Sequence, residues 1–183
     1  MIQRPQTLGE KLDPISFDRL LEDQDPFGNP AHRFDLTGVT LITSAGLVQL
    51  AGACYALRKE GYFPVVAVDD PAVRSYMTRA GFVTVMQSVA QFDPPFSAIA
   101  PRVSEWQRGS NLLLIEVTRI DSGAALPDLL DRIVSVLRQR FRYRKNDAYD
   151  AATAVSEICQ NTFDHNNDTC GFIAMQVYGR GAR

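Results

Sequence analysis

The sequence predicts an α/β protein made of two successive segments, and three observations predict it. From Arg33 to Met86, short β-branched runs alternate with helical periods, the pattern of a sheet with helices packed on it. From Leu112 to Tyr178 the order is strand, helix, helix, strand. Between them, 88–110 holds Pro94, Pro95 and Pro101 without a period and reads as a connector with a short ordered turn around Trp106. The expected organisation is an N-terminal segment at 1–32 packing on a first domain at 33–87, a linker at 88–110 and a second domain at 111–183.

In chain order, Ile15, Phe17, Leu20 and Leu21 suit a short amphipathic turn or helix. Asp25-Pro26-Phe27-Gly28-Asn29-Pro30 is turn chemistry. Arg33–Leu36 and Val39–Ile42 read as strands around Thr37-Gly38. A helix follows from Ser44 to Glu60, with Leu47, Leu50, Ala51, Cys54 and Leu57 at helical spacing and Gly61 at the left-handed cap. Tyr62–Val68 reads as a strand. Asp70-Pro71 is a capping carboxylate followed by proline at the first helical position, so a helix runs from there to Ala80 and stops at Gly81. Phe82–Met86 reads as another strand.

In the second segment, Leu112–Val117 reads as a buried strand with Glu116 inside it. Leu126–Phe141 is a helix with Pro127 and Asp128 in its first turn; its stripe is Leu126, Leu129, Leu130, Ile133, Leu137 and Phe141. A second helix runs from Asp147 to His165, ends in Asn166-Asn167-Asp168, and leads past Gly171 to a strand at Phe172–Tyr178.

Composition excludes several classes. Apolar residues make up 45% of the 183 residues, too many for a disordered chain. The formal net charge is −2 with no basic stripe, which argues against nucleic-acid binding. The run Arg138 to Lys145 reads as favourable charge at a helix C-terminus. Met1 to Glu10 lacks the apolar stretch of a signal peptide, and no run is long enough to span a membrane. Cys54, Cys159 and Cys170 form no CxxC pair and fit reduced thiols in a cytoplasm.

The helix from Asp147 to His165 carries the chemistry. Ala151, Ala152, Val155, Ile158, Cys159, Thr162 and Phe163 fall on one side; Asp150, Glu157, Asn161, Asp164 and His165 fall on the other. At about 100° per residue, Glu157 and Asn161 lie within ~40° of each other. A solvated surface face explains this pattern. So does a cation site, because that stretch holds no lysine or arginine to offset its acids. Cys159, His165, Asp168 and Cys170 match no zinc spacing, and His32 reads as a surface histidine.

Glu157-x-x-x-Asn161-x-x-x-His165, on a helix between a helix and a strand, resembles the asparagine box of the GHKL ATPase fold. The stretch from Ala154 to His165, with Met175-Gln176 in the next strand, looks most like the anti-sigma-factor serine kinases of that superfamily. The resemblance implies a partial GHKL α/β sandwich of two helices and two strands over about 111–183. It implies that Asn161 holds Mg²⁺ on ATP, that Glu157 is the general base, and that His165 sits at the phosphate end. The family's DxGxG motif does not follow: Gly179-Arg180-Gly181 lacks the aspartate, and Asp121-Ser122-Gly123 precedes the helix. The expectation is a truncated ATPase domain, with Mg-ATP bound by the intact protein and not tightly by this chain; the alternative is a natural short chain whose half-domain docks on a partner or on itself.

The segment Phe34 to Leu47 resembles the STAS domain of anti-sigma-factor antagonists, as do Val73-Arg74-Ser75-Tyr76-Met77 and Ala80-Gly81-Phe82. Ser44 matches that family's phosphorylatable serine, and Thr43 stands where the family has an aspartate. Either Ser44 or Thr43 also serves as a plain helix N-cap. Together the resemblances imply a bacterial, cytoplasmic signal-transduction protein with regulatory protein partners and ATP as ligand, without nucleic acid or membrane, and compatible with a homodimer. It is a serine kinase or ATPase, or else a non-catalytic interaction module.

Overall fold

The computed structural model describes residues 11–96, 111–121, 123–165 and 170–178. It is a mixed α/β chain of small sheets and predominant helix. The described residues divide into two compact units. One holds the chain up to Val117 together with Ala174 onward, and the other is Thr118–Ile173. The turn expected around Trp106, the helix end at Asn166-Asn167-Asp168 and the Gly179-Arg180-Gly181 stretch lie outside the described residues.

The first unit opens with β1 (Lys11–Leu12) and α1 (Pro14–Gln24). Asp13 caps α1, accepting from the Ser16 amide at 3.1 Å, and Ser16 accepts from the Asp13 amide in return. Phe17 and Leu20 bury the inner face, and α1 packs on α2. The amphipathic N-terminal segment is therefore a three-turn helix. β1, which the sequence did not signal, pairs in parallel with β3 (Leu41–Ile42).

A second parallel sheet has the order β2-β4-β5, with β2 at Arg33–Asp35, β4 at Val65–Ala67 and β5 at Gln91–Asp93. Phe34 aligns with Val66 and Val66 with Phe92, which puts all three buried side chains in one register. β5 corrects the expectation of a connector from 88 onward. The strand expected at Tyr62–Val68 shrinks to three residues, with Tyr62 and Phe63 exposed before it. His32 is not a free surface histidine: it is half-buried, stacks on Tyr62 at 3.9 Å between ring centres and bonds the Pro26 carbonyl at 2.9 Å.

α2 (Ser44–Lys59) buries the expected stripe of Leu47, Leu50, Ala51, Cys54 and Leu57. Gly46 in its first turn packs so close to β1 that an added methyl carbon would meet the Leu12 carbonyl oxygen at 2.7 Å. α3 (Pro71–Arg79) starts where Asp70 accepts from the amides of Ala72 and Val73. Gly81, at φ +73°, ends it. The next element is a helix, α4 (Phe82–Met86), where the sequence suggested a strand. Phe82 and Met86, one turn apart, are both fully buried, and α4 packs on α2 and α3. Burial of two large side chains, each worth roughly 1.5–3 kcal/mol, outweighs the weak strand preference of Val83 and Val85.

Two strands join the units along the chain: β6 (Asn111–Ile120) and β7 (Gly171–Tyr178), paired as a two-stranded sheet. β6 is not buried on both faces: Ile115 and Val117 are buried and Glu116 between them is exposed. In the second unit, a 3₁₀ turn at Gly123–Ala125 leads into α5 (Leu126–Phe141), which ends at the residue expected from the sequence. After residues 142–144 comes α6 (Lys145–His165), packed on α5. Leu126, Leu129, Ile133, Val134 and Leu137 of α5 are buried, as are Ala148 and Ala152 of α6. Small residues on one helix facing large ones on the other allow a close interface.

Candidate functional site

α6 begins two residues earlier than its sequence pattern suggested, so Lys145 belongs to it. Its start is held by Arg144, whose guanidinium grips the Asp147 carboxylate at 2.8 and 3.0 Å. Asp147 sits in the first turn, where the helix dipole favours an anion. Beyond it no basic residue occurs down to His165.

The two faces separate largely as expected. Ala148, Ala152, Val155, Cys159, Thr162 and Phe163 are buried or half-buried, while Asp150, Glu157 and Asn161 are exposed. Ile158 departs from the expected inner face, with 66% of it exposed. The hydroxyls of Thr153 and Thr162 donate back to the carbonyls of Tyr149 and Ile158 at 3.0 and 3.1 Å, so both serve the helix itself.

Glu157 and Asn161 thus stand one turn apart, about 6 Å along the axis and ~40° around it. One brings a carboxylate and the other a carboxamide oxygen, both open to solvent. This donor chemistry suits a hard cation that already carries phosphate or water oxygens. Two donors do not make a closed metal cage, and no group of three or more histidines, cysteines, aspartates or glutamates converges among the described residues. α6 ends at His165, whose side chain lies outside the described residues.

The reverse face of α6 borders an apolar cleft of about 260 Å³, lined by Ile120, Val155, Cys159, Phe163, Phe172 and Ile173 among others. Its direction is roughly 150° from the Glu157–Asn161 face. Burial raises the Cys159 thiol pKa, so it stays protonated and apolar rather than offering a thiolate to a metal.

At the start of α2 the N-cap is Thr43, not Ser44. Its hydroxyl oxygen accepts from the Gly46 amide at 3.0 Å and lies 3.3 Å from the Leu12 carbonyl oxygen, to which it donates. Thr43 therefore ties α2 to β1. Ser44 is the first helical residue and is half-buried. Gln176 of β7 accepts a hydrogen bond from the Tyr76 hydroxyl of α3, within the first unit.

Sequence reasoning did not single out Arg74. It lies on the inner side of α3 beside Val73 and Met77, only 2% exposed. Its guanidinium donates to the carbonyls of Val68, Pro94 and Pro95 at 2.9, 2.8 and 3.0 Å and stacks 4.1 Å from the Phe96 ring centre. Burial lowers its pKa, opposed by the charge of Asp93. Nothing in local sequence marks it, because its acceptors come from loops before and well after it.

No helix among the described residues is long and apolar enough to cross a membrane. Comparison with protein-family models, curated proteins and solved structures gives no match to this chain.

Proposed function

We propose that this chain is a cytoplasmic regulatory protein, with a STAS-like unit bearing Ser44 joined to part of a GHKL-type ATPase fold that handles Mg-ATP. The observation that carries the reading is the Glu157–Asn161 pair: a carboxylate and a carboxamide, one turn apart and solvent-exposed, on a helix face without a basic residue after Lys145. The pair fits the metal and phosphate end of a nucleotide. The reading concerns that end alone.

In this reading Asn161 gives its carboxamide oxygen to the metal, and the helix ends at His165 on the phosphate side. Glu157 accepts the proton of an attacking serine hydroxyl or water. Bound magnesium and triphosphate supply the transferable phosphoryl group and offset its charge. The protein either phosphorylates a serine on a partner or uses nucleotide state to control docking.

A second reading, a non-catalytic interaction module, is favoured by the other face of α6. There a largely apolar cleft stays open, and Ile158 stands exposed at it, as on a surface that docks against another protein. Isothermal titration with Mg-ATP separates the two. The nucleotide reading expects heat that Asn161→Ala removes while the circular dichroism of the variant is unchanged. No heat at millimolar nucleotide, or heat indifferent to Asn161→Ala, leaves the docking module.

A further inference from the structure

We propose that the turn between α5 and α6 is a docking surface for a short acidic segment of a partner protein. Five of the chain's 19 basic residues fall in the eight residues from Arg138 to Lys145, with no acid among them. The rest of the chain holds the remaining 14 basic residues against 21 acidic ones. Arg138, Arg140, Arg142, Arg144 and Lys145 are all exposed.

Helix-end electrostatics explains only part of this cluster. Arg138 and Arg140 sit in the last turn of α5, where a cation is favoured. Lys145 is the first residue of α6, where a cation is disfavoured. Arg142 ends α5 in the left-handed conformation, φ 55°. Glycine or asparagine would take that conformation at less cost. The chain instead keeps a guanidinium at a strained position.

Three of the five charges are also unspent among the described residues. Arg144 is paired with Asp147, but the guanidinium groups of Arg138, Arg140 and Arg142 make no hydrogen bond or ion pair among the described residues. Arg138 lines a polar groove of about 490 Å³, into which Ser135, Gln139, Tyr143 and Tyr149 also bring hydrogen-bonding groups. Tyr143 and Tyr149 are each about half exposed. A guanidinium beside tyrosine rings is a usual anchor of a protein interface.

The size of the patch selects the partner. A nucleic acid would run on past the five cations and meet the acidic remainder of the chain, with Asp150 and Glu157 further along α6. A short acidic peptide ends before it reaches them. Asp131, which also lines the groove, disfavours carboxylates at one place and so sets register.

Fluorescence anisotropy with a labelled glutamate-rich peptide tests the proposal. A neutral scrambled peptide and a single-stranded oligonucleotide of equal charge serve as controls. The glutamate-rich peptide is expected to bind, to weaken with added salt, and to lose about tenfold in affinity on Arg138→Glu with Arg142→Glu. Arg142→Gly, which relieves the left-handed strain and so keeps the fold, is expected to bind more weakly than wild type. Failure of the peptide to bind at millimolar concentration, indifference to these substitutions, or tighter binding of the oligonucleotide would overturn it.

Discussion

In a protein that carries the whole ATPase domain, Glu157→Gln is expected to slow the hydrolysis or transfer of the terminal phosphate of Mg-ATP by a hundred- to ten-thousand-fold, roughly the contribution of a positioned general base. The substitution keeps the side chain's size and leaves the packed face of α6 untouched, because Glu157 is exposed and faces away from Ala148 and Ala152. Nucleotide affinity should therefore hold while the rate falls, since a base acts on the attacking group and not on the bound metal. Rate and affinity measured on one preparation check this. Equal rates for the variant and wild type would remove Glu157 from the chemistry. Equal loss of affinity and rate would make it a binding residue.

Arg74→Met is expected to lower stability by about 3 kcal/mol, the scale for breaking a buried charged hydrogen-bond cluster. Methionine fills much of the same volume, so the loss comes from the Val68, Pro94 and Pro95 carbonyls, which lose their donor together. The effect should spread to β5, because Pro94 and Pro95 follow it directly and Arg74 is what ties them to α3. Urea denaturation followed by circular dichroism reads it as a lower midpoint at unchanged slope. Arg74→Lys should recover only part of the loss, since an ammonium cannot repeat the planar fork or its stacking on Phe96. A midpoint within error of wild type for Arg74→Met would show that those carbonyls find other partners.

Where the sequence carried its own stop and start chemistry, the elements were legible. Asp70-Pro71 marks the start of α3 because the capping carboxylate and the fixed φ of proline act locally. Gly61 and Gly81 lie beyond α2 and α3 at φ +94° and +73°, where a side chain is costly. Elements set by distant partners were not legible. β5 is one buried residue, Phe92, between two exposed polar ones, and it is a strand because β4 offers it a ladder. β1 is two residues long and exists by pairing with β3. α4 reads locally as a strand and becomes a helix because Phe82 and Met86 must point inward together.

The candidate site divides in the same way. Spacing alone put Glu157 and Asn161 on one face, since helical periodicity is a property of sequence. The exposure of Ile158 depends on how far neighbouring elements reach along α6, which no local pattern encodes. The basic run from Arg138 to Lys145 was plain in the sequence. The left-handed conformation of Arg142 came only with the fold.

On the proposed function, Mg-ATP meets this chain on the exposed face of α6. Residue-resolved nuclear magnetic resonance on isotope-labelled protein tests that contact most directly. Adding Mg-ATP should shift the backbone amides around Glu157 and Asn161 and the Asn161 side-chain amide, and a chelator of magnesium should reverse the change. Shifts confined to other elements, or none at saturating nucleotide, would contradict it.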